Sequence, residues 1–400
     1  MGDHGRRNIS IMATEQTGQS EPSATVTLDA ERQQKAKEYA RIQRRLMLVD
    51  LAVGGLYLAV WLISGWYLSL RDWIGTVTQA PALALLLYGI LFAAPYLALD
   101  QLLSFYSSYI LPHRYGQSNQ RLGSWIGDQI KGLLLSGLLG LGLLEIIYWL
   151  LRSAPEWWWL YSAGVILFFT VILSSLGPVL IAPLFYRFTP LEDDELTQRL
   201  IALARRAGTN VRGVYRFDMS RRTKSANAAL VGLGATRRIV LGDTLLENFT
   251  ADEIETVLAH ELGHHVHRDI VLGIVINTAL TLISFWAAHR ALLWSVERLH
   301  LTGLADPASL PILILVTGVL GLIAMPLGNA YSRWRERLAD RYALEATGKP
   351  EAFASAMTRL ANQNLADADP ERWAVLLLYS HPPIRERVAF ARSYAEAHNN

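Results

Sequence analysis

The sequence contains no cysteine. Disulfide staples, thiolate zinc sites and cysteine nucleophiles are therefore excluded, and any metal must be held by histidine and carboxylate. Charge is scarce too, at 18% of residues against about a quarter in soluble domains. The 37 Lys and Arg nearly balance the 35 Asp and Glu, leaving a net charge of +2. That balance gives no support for nucleic acid as a partner. Residues 1–30 are polar, lack the apolar stretch of a secretory signal and read as a disordered tail.

Apolar residues are abundant, at 52%, and they concentrate in runs of about 20, the length that crosses a hydrocarbon layer as a helix. About six spans are expected, roughly at 46–70, 80–108, 130–151, 157–185, 268–294 and 310–330. Trp66, Trp73, Trp149, Trp157, Trp158, Trp159 and Trp294 fall near run ends, as in an interfacial aromatic belt. Asp100, Gln101, Glu145, Asn277 and Asn329 lie inside the runs and should face water or other helices rather than lipid. Lys and Arg collect before the first run, between the second and third, and in 186–267. The positive-inside rule then puts both termini and 186–267 in the cytoplasm.

Two stretches are too polar for lipid, 186–267 and 331–400. Acidic residues after Pro190 suit a helix start, and residues 213–220 and 227–242 read as two or three short strands. Thr250 with Glu253 forms a capping box that opens a helix over 251–267. The 331–400 stretch reads as helical, with breaks at Gly348-Lys349-Pro350 and at Pro382-Pro383.

That capped helix carries His260-Glu261-Leu262-Gly263-His264. Residues i and i+4 share a helical face, so the two imidazoles can grip one zinc ion while Glu261 serves as general base toward water activated there. Catalytic zinc takes three protein ligands and an open position. A third histidine six residues after His264 is ruled out, because that position is Ile270, and His265 and His267 read as polar-face residues. A remote carboxylate is required. Glu336 and Asp340 offer one, with Asp340 placed to accept a ring N–H of a ligand histidine. By spacing alone they could equally be solvated charges beside Arg333, Arg335 and Arg337.

The sequence resembles the type I CAAX prenyl proteases, integral-membrane gluzincin zinc metallopeptidases, from about Leu99 to Arg387. The segments that carry the resemblance are His113–Gln120, Ile181–Phe185, Phe188–Leu191, Ser225–Ala228, Arg238–Leu246, the zinc helix, Glu336-x-x-Ala339-Asp340, and Ser380-His381-Pro382-Pro383 with Arg387. It implies a mainly α, polytopic membrane protein with about six spans around a water-filled chamber and a cytoplasmic α+β zinc-protease domain. The eukaryotic members have seven spans, and the one without a counterpart here is at the amino end. The expected organisation is a cytoplasmic tail over 1–45, membrane helices 1–4 over 46–185, a first catalytic segment over 186–267, membrane helices 5–6 over 268–330, and a second catalytic segment over 331–400.

The resemblance further implies one Zn²⁺ per chain on His260, His264 and Glu336, with Asp340 behind them. Asn227 and Ala228 would lie on an edge strand that pairs with the substrate backbone, His381 would stabilise the oxyanion, and Arg387 would contact substrate or brace the site. The expected partners are membrane lipid and a peptide or protein substrate carrying a CAAX-type prenylated tail or one like it, with no nucleic acid. The membrane would be the plasma or inner membrane in a bacterium and the endoplasmic reticulum in a eukaryote. A quality-control membrane metalloprotease without a prenyl requirement is the alternative. A transporter with a structural zinc site fits less well, since such a site needs no Glu261.

Overall fold

The computed structural model describes residues 26–398 apart from Leu233, so most of the polar tail expected over 1–30 lies outside the described residues. The described chain is mostly helical. Helix α1 (Ala30–Ser64) starts at Asp29, whose side chain accepts from the Arg32 N–H, and stops at Gly65, left-handed at φ 75°. A short α2 (Trp66–Val77) follows, then α3 (Pro81–Ser104), which passes through a π-helical stretch at Phe105–Ile110 into α4 (Leu111–Arg114). Next come α5 (Leu122–Ser153) and α6 (Trp158–Leu176).

The polar region opens with strand β1 (Phe188–Pro190), then α7 (Asp194–Arg206), β2 (Val214–Phe217), β3 (Ala228–Val231), β4 (Arg238–Gly242), α8 (Asp243–Asn248) and α9 (Ala251–Val266). The chain re-enters apolar territory with α10 (Asp269–Arg298) and α11 (Leu310–Thr347), and ends in α12 (Pro350–Gln363), α13 (Arg372–Leu378) and α14 (Ile384–His398). One helix, α11, runs unbroken through residue 331, where the sequence turns polar.

Among the described residues six helices are long and apolar enough to cross a membrane, the number expected. They are α1, the α3–α4 rod, α5, α6 with its extension to Leu184, α10 and α11. Each touches the next in this order and α11 returns to α1, so they close a ring. A helix in a filled bundle buries a stripe at least about 100° wide, more than a quarter of its surface. Here no span buries more than 22% of its apolar window, and two bury none. The ring therefore surrounds space rather than a packed core.

One end of the ring is filled. Trp61, Tyr67, Ile74, Tyr88, Tyr148, Leu151, Trp158, Leu292 and Leu310 form a single buried cluster there, with α2 laid across it. Trp158, expected in the interfacial belt, belongs to this plug: it is fully buried and its indole N–H donates to His289 Nδ1 at 3.0 Å. Trp66, Trp73, Trp149, Trp157 and Trp294 are exposed, as a belt requires. The polar domain closes the other end around a second core of sheet, α7, α9 and α12. Its sheet has the order β1-β2-β4-β3, parallel between β2 and β4 and antiparallel elsewhere, so β3 is an outer strand.

Candidate metal centre

Helix α9 is fixed at its start by the capping box. The Thr250 hydroxyl accepts from the Glu253 N–H, and the Glu253 carboxylate accepts from the Thr250 N–H at 2.8 Å. His260 and His264 follow on one face, four residues apart, with Nε2 atoms 3.2 Å from each other. Between them sits Gly263, and a Cβ there would lie 2.9 Å from the Ala339 Cα. The glycine lets α11 press directly on α9, which carries Glu336 to the two imidazoles.

Glu336 Oε2 stands 3.3 Å from His260 Nε2, and Oε1 stands 3.4 Å from His264 Nε2. Donor atoms bound tetrahedrally at about 2.05 Å would be about 3.3 Å apart. The carboxylate is buried, at 5% exposure, yet Oε2 has no hydrogen-bond partner among the described residues. Two nitrogens and an orphaned carboxylate oxygen aimed at one point are a poor hydrogen-bond cluster and a good zinc shell. His260, His264 and Glu336 are the one group of three or more His or acidic residues among the described residues that could hold a metal.

Carboxylates behind the imidazoles set their tautomers. His260 Nδ1 meets Asp340 Oδ1 at 2.8 Å, one turn beyond Glu336 on α11. Arg387 of α14 grips Asp340 with both arms of its fork, Nε to Oδ2 at 2.9 Å and Nη2 to Oδ1 at 2.6 Å. Of the two roles considered for Arg387, this geometry favours the brace. Burial and the Arg387 charge push the His260 pKa down, but the Asp340 and Glu336 carboxylates beside its two ring nitrogens outweigh them and raise it to about 9. A metal entering the site must therefore displace a proton, so its affinity should weaken as pH falls.

The counterpart for His264 is not foreseen from sequence. His264 Nδ1 meets Asp269 Oδ2 at 2.7 Å. Arg268 adopts the left-handed conformation, φ 56°, and this turn folds the start of α10 back toward α9. Arg335, beside Glu336 on α11, donates through Nε to Asp269 Oδ1 at 2.6 Å and through Nη2 to the His267 carbonyl at 2.8 Å. Helix α11 thus carries one donor group and anchors the partners of both imidazoles. Asp269→Ala should lower zinc affinity by about 10- to 100-fold, the usual loss for such a partner, while Asp269→Asn should lose less. Zinc titration of the two proteins checks this, and equal affinity in wild type and Asp269→Ala would remove Asp269 from the site.

Glu261 is half-buried on α9 beside His260, and its charge helps to raise the Arg387 pKa, after Asp340 and Glu336 and against burial. His381 lies across the cluster, 60% exposed, with Nε2 3.2 Å from Glu336 Oε1 and Nδ1 2.9 Å from the Ser380 hydroxyl. His265 and His267 turn elsewhere, to Arg237 and to the Gly263 carbonyl. Ala228 opens the outer strand β3, which packs against α9. Asn227 immediately precedes it and is exposed, with its carbonyl already accepting from the Gly242 N–H at 2.9 Å.

The chain matches known proteins over most of its length. Residues 190–395 match peptidase family M48, and residues 12–187 match the five-helix membrane region that begins CAAX prenyl proteases. A metalloprotease of Bacillus subtilis is 30% identical over 367 residues, covering 90% of this chain and 86% of that one. CAAX prenyl protease 1 of Saccharomyces cerevisiae is 30% identical over 75% of this chain and 70% of its own. The crystal structure of Ste24p from S. mikatae superposes with a TM-score of 0.81 at 25% identity, covering 91% and 90% of the two chains.

Proposed function

This chain belongs to peptidase family M48 and is a multi-pass membrane zinc metalloprotease, and on that premise we propose that it cleaves CAAX-type prenylated tails, or peptides like them, with Glu261 as general base. The observation that carries the reading is the His260, His264 and Glu336 shell, with donor atoms 3.2 to 3.4 Å apart and Glu261 next to it on the same helix. One zinc ion held by these three residues would polarise the scissile carbonyl and make nearby water acidic. Glu261 takes the proton from the attacking water and returns it to the leaving amine. Asp340 and Asp269 keep His260 and His264 in the tautomer that presents Nε2. Strand β3, from Ala228, offers main-chain groups to an extended peptide, which gives binding tolerant of side-chain identity, and Asn227 adds a side chain at its entrance. Arg387 would brace Asp340, a role its two hydrogen bonds to that carboxylate support.

The test is hydrolysis by zinc-loaded protein in bilayers of a farnesylated peptide and its unprenylated twin, with products mapped by mass spectrometry. Cleavage of the farnesylated peptide alone supports the proposal. Equal cleavage of both would transfer the protein to the quality-control reading, and cleavage of neither overturns a proteolytic role on such peptides. The distribution of Lys and Arg supports a cytoplasmic polar domain with both ends on that face. Protease digestion of sealed vesicles that reaches residues 28 and 398 from opposite sides would contradict this.

His381 acts as the donor to the carbonyl oxygen while negative charge builds on it. The two prolines after it fix the backbone that carries the ring. Its contribution is confined to the transition state, so His381→Ala should lower kcat by about 10²–10³-fold with KM and zinc content little changed. Loss of zinc in that protein would make His381 a ligand instead, and an unchanged kcat would leave it without a role in the reaction.

A further inference from the structure

The outward edge of β3 is closed by the protein itself up to one residue short of the strand. Ala228 pairs with Leu241 and Val231 with Arg238. The same register sets Asn227 opposite Gly242, whose N–H it accepts. In an antiparallel ladder, residues alternate between bonding across the pair and facing away. Asn227, Ala229 and Val231 therefore turn their main-chain groups to β4, whereas Ala226, Ala228 and Leu230 turn theirs outward.

Outward groups before β3 are already taken. The Ala226 N–H donates to Asn364 Oδ1 at 2.8 Å, and the Ala226 carbonyl accepts from Asn364 Nδ2 at 3.2 Å. The Lys224 N–H donates to the Gln117 carbonyl at 3.1 Å, and its carbonyl accepts from Gln363 Nε2 at 2.9 Å. The Arg222 carbonyl accepts from the Asn119 N–H at 3.0 Å. Among the described residues no group bonds to the outward N–H and carbonyl of Ala228 or Leu230.

The Asn364 amide presents one acceptor and one donor to a single residue, as a neighbouring strand would. It is held there at some cost in backbone strain. Asn364 ends α12, and the next residue, Leu365, is left-handed at φ 51° with its side chain buried at 4% exposure. The Ala366 N–H then bonds back to the Ala361 carbonyl at 3.0 Å, closing the helix end. Glycine or asparagine normally fills that left-handed position, and such outliers persist where the surroundings impose them.

We propose that Asn364 is the stop at one end of the substrate groove, a specificity-determining residue that confines an extended peptide to pairing with Ala228 and Leu230. The chain of a bound substrate must end or turn away at Ala226, so the preferred substrate pairs over a short segment near a terminus or a bend. This rests on the reading of β3 as the peptide-pairing edge.

The experiment measures binding of a peptide ladder, extended one residue at a time from each end, to zinc-loaded Glu261→Gln protein in bilayers. With Asn364 present, affinity should stop rising beyond a fixed length at one end. With Asn364→Ala, further residues at that end should raise affinity by about three- to ten-fold, the gain from the newly opened pair of main-chain bonds. Asn362→Ala, which removes bonds to Thr27 and Asp29 on the same turn, should keep the original plateau. An unchanged plateau in Asn364→Ala, or an equal loss of affinity at every length, overturns the stop. Binding at no length overturns both the stop and the edge reading. Failure of the wild type to hydrolyse any peptide, with the plateau still shifting, would instead count against the protease reading alone.

Discussion

Glu336→Ala protein should purify without stoichiometric zinc and without measurable hydrolysis. The carboxylate is the one acidic group in contact with both Nε2 atoms, and it comes from a different helix than the histidines. Two imidazoles on one helical turn hold zinc far less tightly than a closed set of three ligands. Loss of a metal ligand should exceed the 10- to 100-fold typical of an orienting partner, so zinc affinity should fall by more than about 100-fold. The α9–α11 contact at Gly263 and Ala339 does not involve this side chain, so the protein should still fold. Elemental analysis decides the matter, with Glu336→Gln as a variant of unchanged shape. Full zinc occupancy in both variants would displace Glu336 from the site.

Glu261→Gln is expected to separate binding from chemistry. Glutamine keeps the size and half-buried position of the side chain but cannot accept a proton. Zinc content and peptide affinity should stay near those of wild type, while kcat falls by at least about 10²-fold, the low end for loss of a general base. The loss should persist across pH, because no other carboxylate on this face is free to substitute: Glu336 faces the two imidazoles, and Asp340 is held by Arg387. Near-normal turnover by zinc-loaded Glu261→Gln would remove Glu261 from the mechanism.

The sequence carries these two residues with unequal clarity. Glu261 lies inside a five-residue motif whose helical spacing states its own geometry. Glu336 is separated from His264 by helix α10 and the apolar part of α11, and spacing alone leaves it level with a solvated surface charge. Only the resemblance singles it out, and the close approach at Gly263 and Ala339 supplies the physical reason it can reach. Asp269 is not legible in either way. It reaches His264 through a left-handed arginine, and nothing about Arg268 as a residue type announces that conformation.

The six spans are legible because apolar length is a strong signal, although α1 and α11 extend well beyond their apolar stretches. Polarity marks where a helix leaves lipid and says little about where the helix ends. Strand β1 escapes the sequence because it is three residues long and ends in proline, so neither alternation nor β-propensity accumulates. The stop at Asn364 is invisible for another reason. It depends on the parity of a ladder, which exists only once β3 and β4 are in register.

The plug of aromatic and aliphatic side chains at the far end of the ring also bears on the membrane as an electrical barrier. A hollow ring of helices open at both ends would be a conductor, and a membrane dotted with such rings could not hold a voltage. Here Trp61, Tyr88, Tyr148 and Trp158 pack into one closely filled layer across that end. An ion entering such a layer would give up its hydration for nothing in return, an expense of many kcal/mol. The tyrosine hydroxyls in the layer are engaged within the protein, Tyr148 with Ser309 and Tyr88 with the Tyr67 carbonyl. The filled end thus separates the space inside the ring from the compartment beyond it.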